Sequence, residues 1–132
     1  MSMSHYANTA WVATAETLEK FLPSAWKKFT DVLGDVSVNE FCQAYQFDHD
    51  LDVSDARNEE IAKAWKEFVN TFLEATTVSG EGLTITPRYH EDGESGDDVS
   101  GGFFEIDGME ELTPAGEKYH GLFQRAYWVT YG

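Results

Sequence analysis

The sequence predicts an α+β protein with three to four N-terminal helices, a small antiparallel β meander, one further helix and a C-terminal strand. Apolar residues recur at steps of three and four in three segments before residue 77, which is the period of a helix. They alternate with polar residues over Leu83–His90, which is the period of a strand. Since the chain has 132 residues, 42% of them hydrophobic, we expect one compact domain with its own core.

The first helical stretch carries an apolar stripe from Leu18 to Leu33. Pro23 interrupts this stripe, lacks an amide donor and clashes with the preceding turn, so we expect two short helices or one kinked helix. Gly34 is suited to end the stretch because glycine adopts a positive φ without strain. No element is predicted for residues 1–14, which can be flexible.

Two further helices follow. Ser37 lies three residues before a glutamate, the spacing of a capping box, and the helix that it opens is expected to run to about Phe47. An aspartate-rich connector over residues 48–55 leads to a longer helix. The apolar stripe of that helix runs from Ile61 to Leu73, and we expect it to end near Thr76.

The predicted strand at Leu83–His90 contains Pro87, which cannot donate to a neighbouring strand, so this strand is expected at an edge of the sheet. The dipeptide Asp107-Gly108 suits a two-residue hairpin turn. It would join strands at Phe103–Ile106 and Met109–Leu112.

The last part of the chain is expected to hold one helix and one strand. Thr113 followed by Pro114 is typical of a helix cap and first turn. Apolar residues at helical spacing then extend this predicted helix as far as Ala126. Tyr127–Tyr131 has the composition of a strand.

The net charge of −15 comes from two segments of the chain. Residues 29–56 carry seven carboxylates, residues 91–111 carry nine, and neither segment contains Lys or Arg. The other 83 residues carry eight acidic and nine basic side chains, which gives a net charge of +1. This charge argues against direct binding to nucleic acid or to an anionic membrane, because both are negatively charged.

We therefore expect an acidic interaction protein that binds a basic, nucleic-acid-handling partner. It could be a phosphate-mimic inhibitor of a nuclease or phage-defence complex, or an immunity-type protein. Were the connector extended, its alternate aspartates would repeat on one side every ~6.7 Å. The candidate partner-binding residues are Asp48, Asp50, Asp52, Asp55, Glu91, Asp92, Glu94, Asp97, Asp98, Glu110 and Glu111. The alternative is an accessory or structural protein whose charge serves only solubility.

A second alternative is a divalent-metal module that uses the loop over residues 48–59. Its spacing matches four ligand positions of a calcium EF-hand, at Asp48, Asp50, Asp52 and Glu59. Val53 stands where the sharp turn of that loop needs glycine, and the sequence holds no second loop of this kind. The simpler interpretation is a polar connector whose Ser54 or Asp55 caps the next helix.

The sequence contains no catalytic motif, and we do not expect an enzyme. The single cysteine, Cys42, lies on a predicted apolar face and is expected in the core. One cysteine cannot form an internal disulfide, and the N-terminus lacks the pattern of a signal peptide, so a cytoplasmic location is expected. Nothing in the sequence indicates an oligomeric state.

Overall fold

A computed structural model describes residues 5–90, 101–110 and 113–131. In these ranges the chain has five helices and four strands, which confirms the α+β class. They are β1 (His5–Ala13), α1 (Ala15–Phe21), α2 (Pro23–Leu33), α3 (Val38–Gln46), α4 (Asp55–Thr76), β2 (Thr84–His90), β3 (Gly101–Asp107), α5 (Pro114–Tyr119) and β4 (Gln124–Tyr131). None of the helices in these ranges has the length and apolar character needed to span a membrane.

The strands form one antiparallel sheet in the order β2-β3-β1-β4. The N-terminal segment, for which no element was predicted, is therefore an interior strand: Trp11 pairs with Ile106 on one side and with Arg125 on the other. The alternation of apolar and polar residues that marks a half-buried strand is absent there, because Val12 and Ala13 point to opposite faces of the sheet and both are buried. The predicted meander lacked this strand, which lies next to β3 on the side away from β2.

The predicted hairpin at Asp107-Gly108 is also wrong. β3 pairs instead with β2, the preceding strand, and residues 91–100 between them lie outside the described part of the chain. After β3, Gly108 has a φ of 100° and Met109 turns into the core, where it is 4% exposed. Met109 and Glu110 form no strand, and residues 111–112 are not described.

The last helix is shorter than predicted. Thr113 caps it as expected, since its hydroxyl accepts a hydrogen bond from the Gly116 amide at 3.0 Å. It ends at Tyr119, however, and Ala126 lies in β4, which begins three residues before the predicted strand. Tyr119 and Phe123 pack together in the core, so their spacing of four resembles a helix although a turn separates them.

The other helix boundaries agree with the predictions. Helices α1 and α2 are separate and meet at Pro23, and Gly34 ends α2 with a φ of 58°. The hydroxyl of Ser37 accepts from the Glu40 amide at the start of α3. The edge position of β2, which contains Pro87, is confirmed as well.

The main core lies between one face of the sheet and the helices. Trp65 of α4 stacks on Phe104 of β3, with ring centroids 5.4 Å apart. A smaller cluster around Val12 and Phe103 lies on the opposite face of the sheet.

Helix α3 packs against β2 and β3, whereas α4 packs against α2 and β2. The backbones of α3 and α4 hardly approach each other, and this separation produces the site described next.

Candidate functional site

An open groove of about 710 Å³ runs between α3 and α4, and we call it the α3/α4 groove. Its apolar floor consists of Phe41, Leu51, Ile61, Trp65, Val69 and Ile85. Its walls and ends are formed by Ala44, Tyr45, Asp48, His49, Asp50, Asn58, Ala62 and Lys66. The groove therefore combines a hydrophobic base with charged side chains at its margin.

The helical period places these side chains along the groove. On α3, Phe41 and Tyr45 are four residues apart, so they share a face. On α4, Ile61, Trp65 and Val69 repeat at the same spacing. The rings of Phe41 and Trp65 contact across the floor with centroids 5.4 Å apart. This contact closes the bottom of the groove and leaves its upper part open.

Two large side chains near the end of α3 remain exposed. Tyr45 is 50% exposed and borders the groove, with its ring 6.1 Å from that of Phe41. Phe47 is 54% exposed and lies beside Tyr89 of β2, with ring centroids 6.1 Å apart. Exposed aromatic side chains beside a concave apolar surface are typical of protein interaction sites.

Residues 48–55, which we call the acidic connector, bound one end of the groove. The connector is held in shape by one side chain of α4, that of Asn58. Its Oδ1 accepts from the Leu51 amide at 2.9 Å. Its Nδ2 lies 3.2 Å from the Leu51 carbonyl oxygen, 3.3 Å from that of Val53 and 3.2 Å from that of Ser54. No feature of the sequence singled out Asn58 for this role.

The carboxylates of the acidic connector point to solvent. Asp48, Asp50, Asp52 and Asp55 are all exposed, and none forms an ion pair with a residue in the described ranges. The ion pair nearest to the connector in sequence joins Arg57 and Glu60 in the first turns of α4, and it involves none of these aspartates. Four negative charges thus remain available to an external cation at this end of the groove.

A basic side chain lies further along the groove. Lys66 is exposed, borders the groove, and has no ion-pair partner in the part of the chain that the structure describes. At the acidic end, Nδ1 of His49 lies 3.0 Å from the Asp50 carbonyl oxygen. The groove is therefore negative at the connector and positive near Lys66, a polarity that the sequence analysis did not identify.

The connector does not have the extended shape on which the regular aspartate repeat depended. Asp48 has a φ of 53°, and the chain bends again at residues 52–53. A positive φ is tolerated by aspartate better than by most side chains, which suits Asp48 to this turn. The ~6.7 Å spacing expected for an extended segment is therefore not formed.

The predicted metal ligands are not gathered into a site. Among the described residues, no three side chains of His, Cys, Asp or Glu lie together as a metal ion would require. The predicted set comprised Asp48, Asp50, Asp52 and Glu59. Ser54 instead caps α4, since its hydroxyl accepts from the Arg57 amide at 3.2 Å, in agreement with the simpler interpretation. The amide nitrogen of Asn58 lies within hydrogen-bond distance of three carbonyl oxygens of the connector.

Most of the second acidic segment lies outside the described residues. This applies to Glu91, Asp92, Glu94, Asp97, Asp98 and Glu111. Of its described members, Glu105 alternates with the core residues Phe104 and Ile106, so it points to the sheet face away from the helices. Asp107 follows the same alternation, and Glu110 is exposed beyond the strand. The described carboxylates of β3 and the acidic connector thus lie on opposite sides of the sheet.

A small acidic cluster surrounds Asp107. Nε of Arg88 donates to Oε1 of Glu105 at 2.9 Å. Partial burial raises the pKa of Asp107, the carboxylates of Glu105 and Glu110 raise it further, and Arg88 opposes them. Together with Arg125 these carboxylates border a second cleft of about 300 Å³.

Cys42 is buried, as expected. Burial raises the pKa of its thiol to about 12, and its Sγ donates to the Phe103 carbonyl oxygen at 3.7 Å. Because the thiolate is the reactive form, we expect this thiol to be a poor nucleophile in the folded protein. Comparison with protein-family models, curated proteins and solved structures finds no match to this chain. Its function must therefore be argued from the groove and the acidic connector.

Proposed function

We propose that this is an acidic interaction protein that binds a basic, nucleic-acid-handling partner through the acidic connector. The observation that carries the proposal is the set of four exposed aspartates, Asp48, Asp50, Asp52 and Asp55, without ion-pair partners in the described ranges. Asn58 holds the backbone beneath them, so little conformational freedom is lost when a partner binds. Inhibition of a nuclease or defence complex, or toxin immunity, are roles that fit such a surface.

Nucleic-acid-handling proteins suit this surface because they carry clusters of Lys and Arg that neutralise phosphates. Each exposed ion pair contributes roughly 0.2–1 kcal/mol. Four such pairs would contribute roughly 1–4 kcal/mol at low salt, and they would also accelerate association. A Debye length of about 10 Å at 0.1 M salt makes this contribution strongly salt-dependent.

The placement of the charges favours local docking over imitation of a long nucleic-acid duplex. Glu105 points to the opposite side of the sheet from the connector, so one flat basic surface does not reach both groups of charges. The proposed inhibitor would therefore engage one basic site of its partner with the connector. The carboxylates of β3 would remain outside that contact.

The test is affinity purification from a lysate of the source organism at about 50 and 500 mM salt. The bait is the wild-type protein or a variant with Asp48, Asp50, Asp52 and Asp55 changed to Asn. The control changes Glu19, Glu67, Glu74 and Glu81 to Gln, which removes the same charge from exposed sites elsewhere. Asn suits position 48 because it also tolerates a positive φ.

We expect the wild type and the control to recover a basic protein at low salt and to lose it at high salt. The connector variant should lose it under both conditions. Recovery of no basic protein at either salt concentration would contradict the proposal. Equal loss with the connector variant and the control would mean that total charge, and not the connector, determines binding, and this would contradict the proposed site.

A further inference from the structure

We infer that the α3/α4 groove binds an amphipathic helix of the partner, with apolar side chains on the groove floor and basic side chains at the acidic connector. This inference rests on the proposed function and adds the form in which the partner is recognised. It depends on three features: the length of the groove, the polarity of its margin and the exposure of Tyr45.

The groove has the length of a short helix. From Asn58 to Val69 the axis of α4 rises by roughly 16 Å at 1.5 Å per residue, which corresponds to about three helical turns. Apolar side chains of α4 line the groove over this length at helical spacing. A bound helix would meet them with its own apolar residues at positions i, i+3 or i+4, and i+7.

The margin of the groove has charges of opposite sign at two positions. Asp48 and Asp50 lie at the connector end, beside Asn58. Lys66 lies eight residues beyond Asn58, roughly 12 Å along α4. A bound helix should therefore carry Lys or Arg at its connector end and an acidic or neutral residue near Lys66.

Tyr45 is placed to act as the main aromatic contact. Half of its surface is exposed although its ring borders an apolar groove. Tyrosine is enriched among the residues that dominate protein interfaces, because its ring is large and loses little conformational freedom on binding. A helix in the groove would cover this ring.

The same features favour a helix over a small molecule. A small-molecule site usually encloses its ligand and orients it with a few polar groups directed inward. Here the groove is open along its length, and the charged groups at its margin, Asp48, Asp50 and Lys66, are exposed. The floor itself is apolar.

Three synthetic peptides of about 14 residues, or four helical turns, test the inference by fluorescence anisotropy with the full chain. The first has an apolar stripe at helical spacing, with Lys and Arg outside the stripe in one half and neutral polar residues outside it in the other half. The second has the same composition in an order that removes the stripe. The third keeps the stripe and replaces the basic residues with Glu. We expect the first to bind at least about tenfold more tightly than either of the others.

The matched protein variants are Ala62→Arg and Ala75→Arg. Both alanines are exposed on α4, but only Ala62 lines the groove. Arginine is compatible with a helix and adds the same charge at either position. Ala62→Arg should weaken binding of the first peptide by about tenfold or more, by filling the groove and repelling the basic peptide, whereas Ala75→Arg should change it less than about twofold.

Two further variants separate the apolar from the charged contribution. Tyr45→Ala should weaken binding by about tenfold or more at any salt concentration. Asp48→Asn with Asp50→Asn should weaken it roughly two- to thirtyfold at about 50 mM salt and hardly at all at about 500 mM. Circular dichroism of each variant checks that the helices are retained.

The outcomes distinguish this inference from the proposed function. Equal binding of the first two peptides, without an effect of Ala62→Arg or Tyr45→Ala, would overturn the groove inference and leave the acidic surface as the binding site. Binding of neither basic peptide at low salt would contradict both. Binding of a small apolar dye that Ala62→Arg abolishes, without binding of the first peptide, would assign the groove to a small ligand and overturn the inference.

Discussion

Replacement of Asn58 by alanine should destabilise the protein through the acidic connector. The side chain of Asn58 accepts one hydrogen bond from the Leu51 amide and has two amide hydrogens directed at the connector carbonyls. Because two hydrogens cannot satisfy three acceptors fully, we count three hydrogen bonds in total. Alanine removes all of them and leaves the helical backbone unchanged.

The expected magnitude follows from these bonds. Three bonds at about 0.5–1.5 kcal/mol each give roughly 1.5–4.5 kcal/mol, and partial exposure favours the lower part of this range, about 1.5–3 kcal/mol. Alanine has the higher helix propensity and offsets about 0.5 kcal/mol of the loss. The free energy of unfolding should therefore fall by about 1–2.5 kcal/mol.

Urea denaturation followed by circular dichroism measures this change, with Asn70→Ala as the control. Asn70 is exposed on the same helix, so the two variants make the same chemical change and share the same gain in propensity. Their difference isolates the connector bonds and should be about 1.5–3 kcal/mol. A difference below about 0.5 kcal/mol, with unchanged m-values, would refute the assigned role of Asn58.

A third variant identifies which bonds matter. Asn58→Asp keeps an acceptor for the Leu51 amide but has no hydrogens for the carbonyls of Val53 and Ser54. If donation to these carbonyls holds the connector, this variant should be destabilised at pH 7, because its carboxylate faces oxygen atoms. Stability equal to the wild type would assign the whole effect to the single accepted bond.

Three further predictions concern the rest of the molecule. Gly102→Ala should lower the free energy of unfolding in urea by about 1–3 kcal/mol, because the new Cβ would lie 2.9 Å from Cβ of Cys42. Gly121→Ala, whose Cβ would meet nothing within 4 Å, should have little effect. The Cys42 thiol, with a pKa of about 12, should resist iodoacetamide at pH 8 and react only in denaturant; rapid labelling of the folded protein would contradict its burial. Because the folded-state pKa of Asp107 is raised, its ionisation opposes folding at neutral pH, and that cost begins to fall as the pH drops through the raised pKa and is gone below the ordinary pKa of an aspartate. Asp107→Asn should therefore be more stable than the wild type at pH 7, and thermal melts should show this advantage shrinking toward acidic pH.

The boundaries that the sequence predicted correctly depend on short-range interactions. Ser37, Ser54 and Thr113 each accept from a backbone amide three residues later, so the complete cap is contained in a few residues. Pro23 separates α1 from α2 through the geometry of its own ring. Such features can be predicted without knowing what else packs nearby.

The elements that were missed depend on distant parts of the chain. β1 pairs with β3 and β4, which come from the other end of the sequence, and its two faces are both partly buried. Alternation is a reliable signal only where one face meets water. The extension of the last predicted helix to Ala126 failed for a similar reason: Ala126 packs near Val12, on the sheet face opposite the main core.

The candidate site was predictable in part. The aspartates of the connector were identified from composition, and their exposure follows from their charge. The groove was not predictable, because the apolar stripes that contain Phe41 and Trp65 look the same whether or not their helices pack closely. The decisive quantity is the separation between α3 and α4, which the connector and the sheet set together.

The acidic connector therefore has two roles: it joins α3 to α4 in their observed positions, and it carries the negative charge of the site. With Asp48 in a turn and Asn58 bound to the backbone of Leu51, it places α3 over β2 and β3 while α4 packs on α2 and β2. A closer approach of the α3 and α4 backbones would cover Tyr45 and close the groove. The connector that joins α3 to α4 also carries the four aspartates, so the apolar floor and the negative charge lie side by side. For this reason a basic amphipathic helix matches the site better than either a purely charged or a purely apolar ligand.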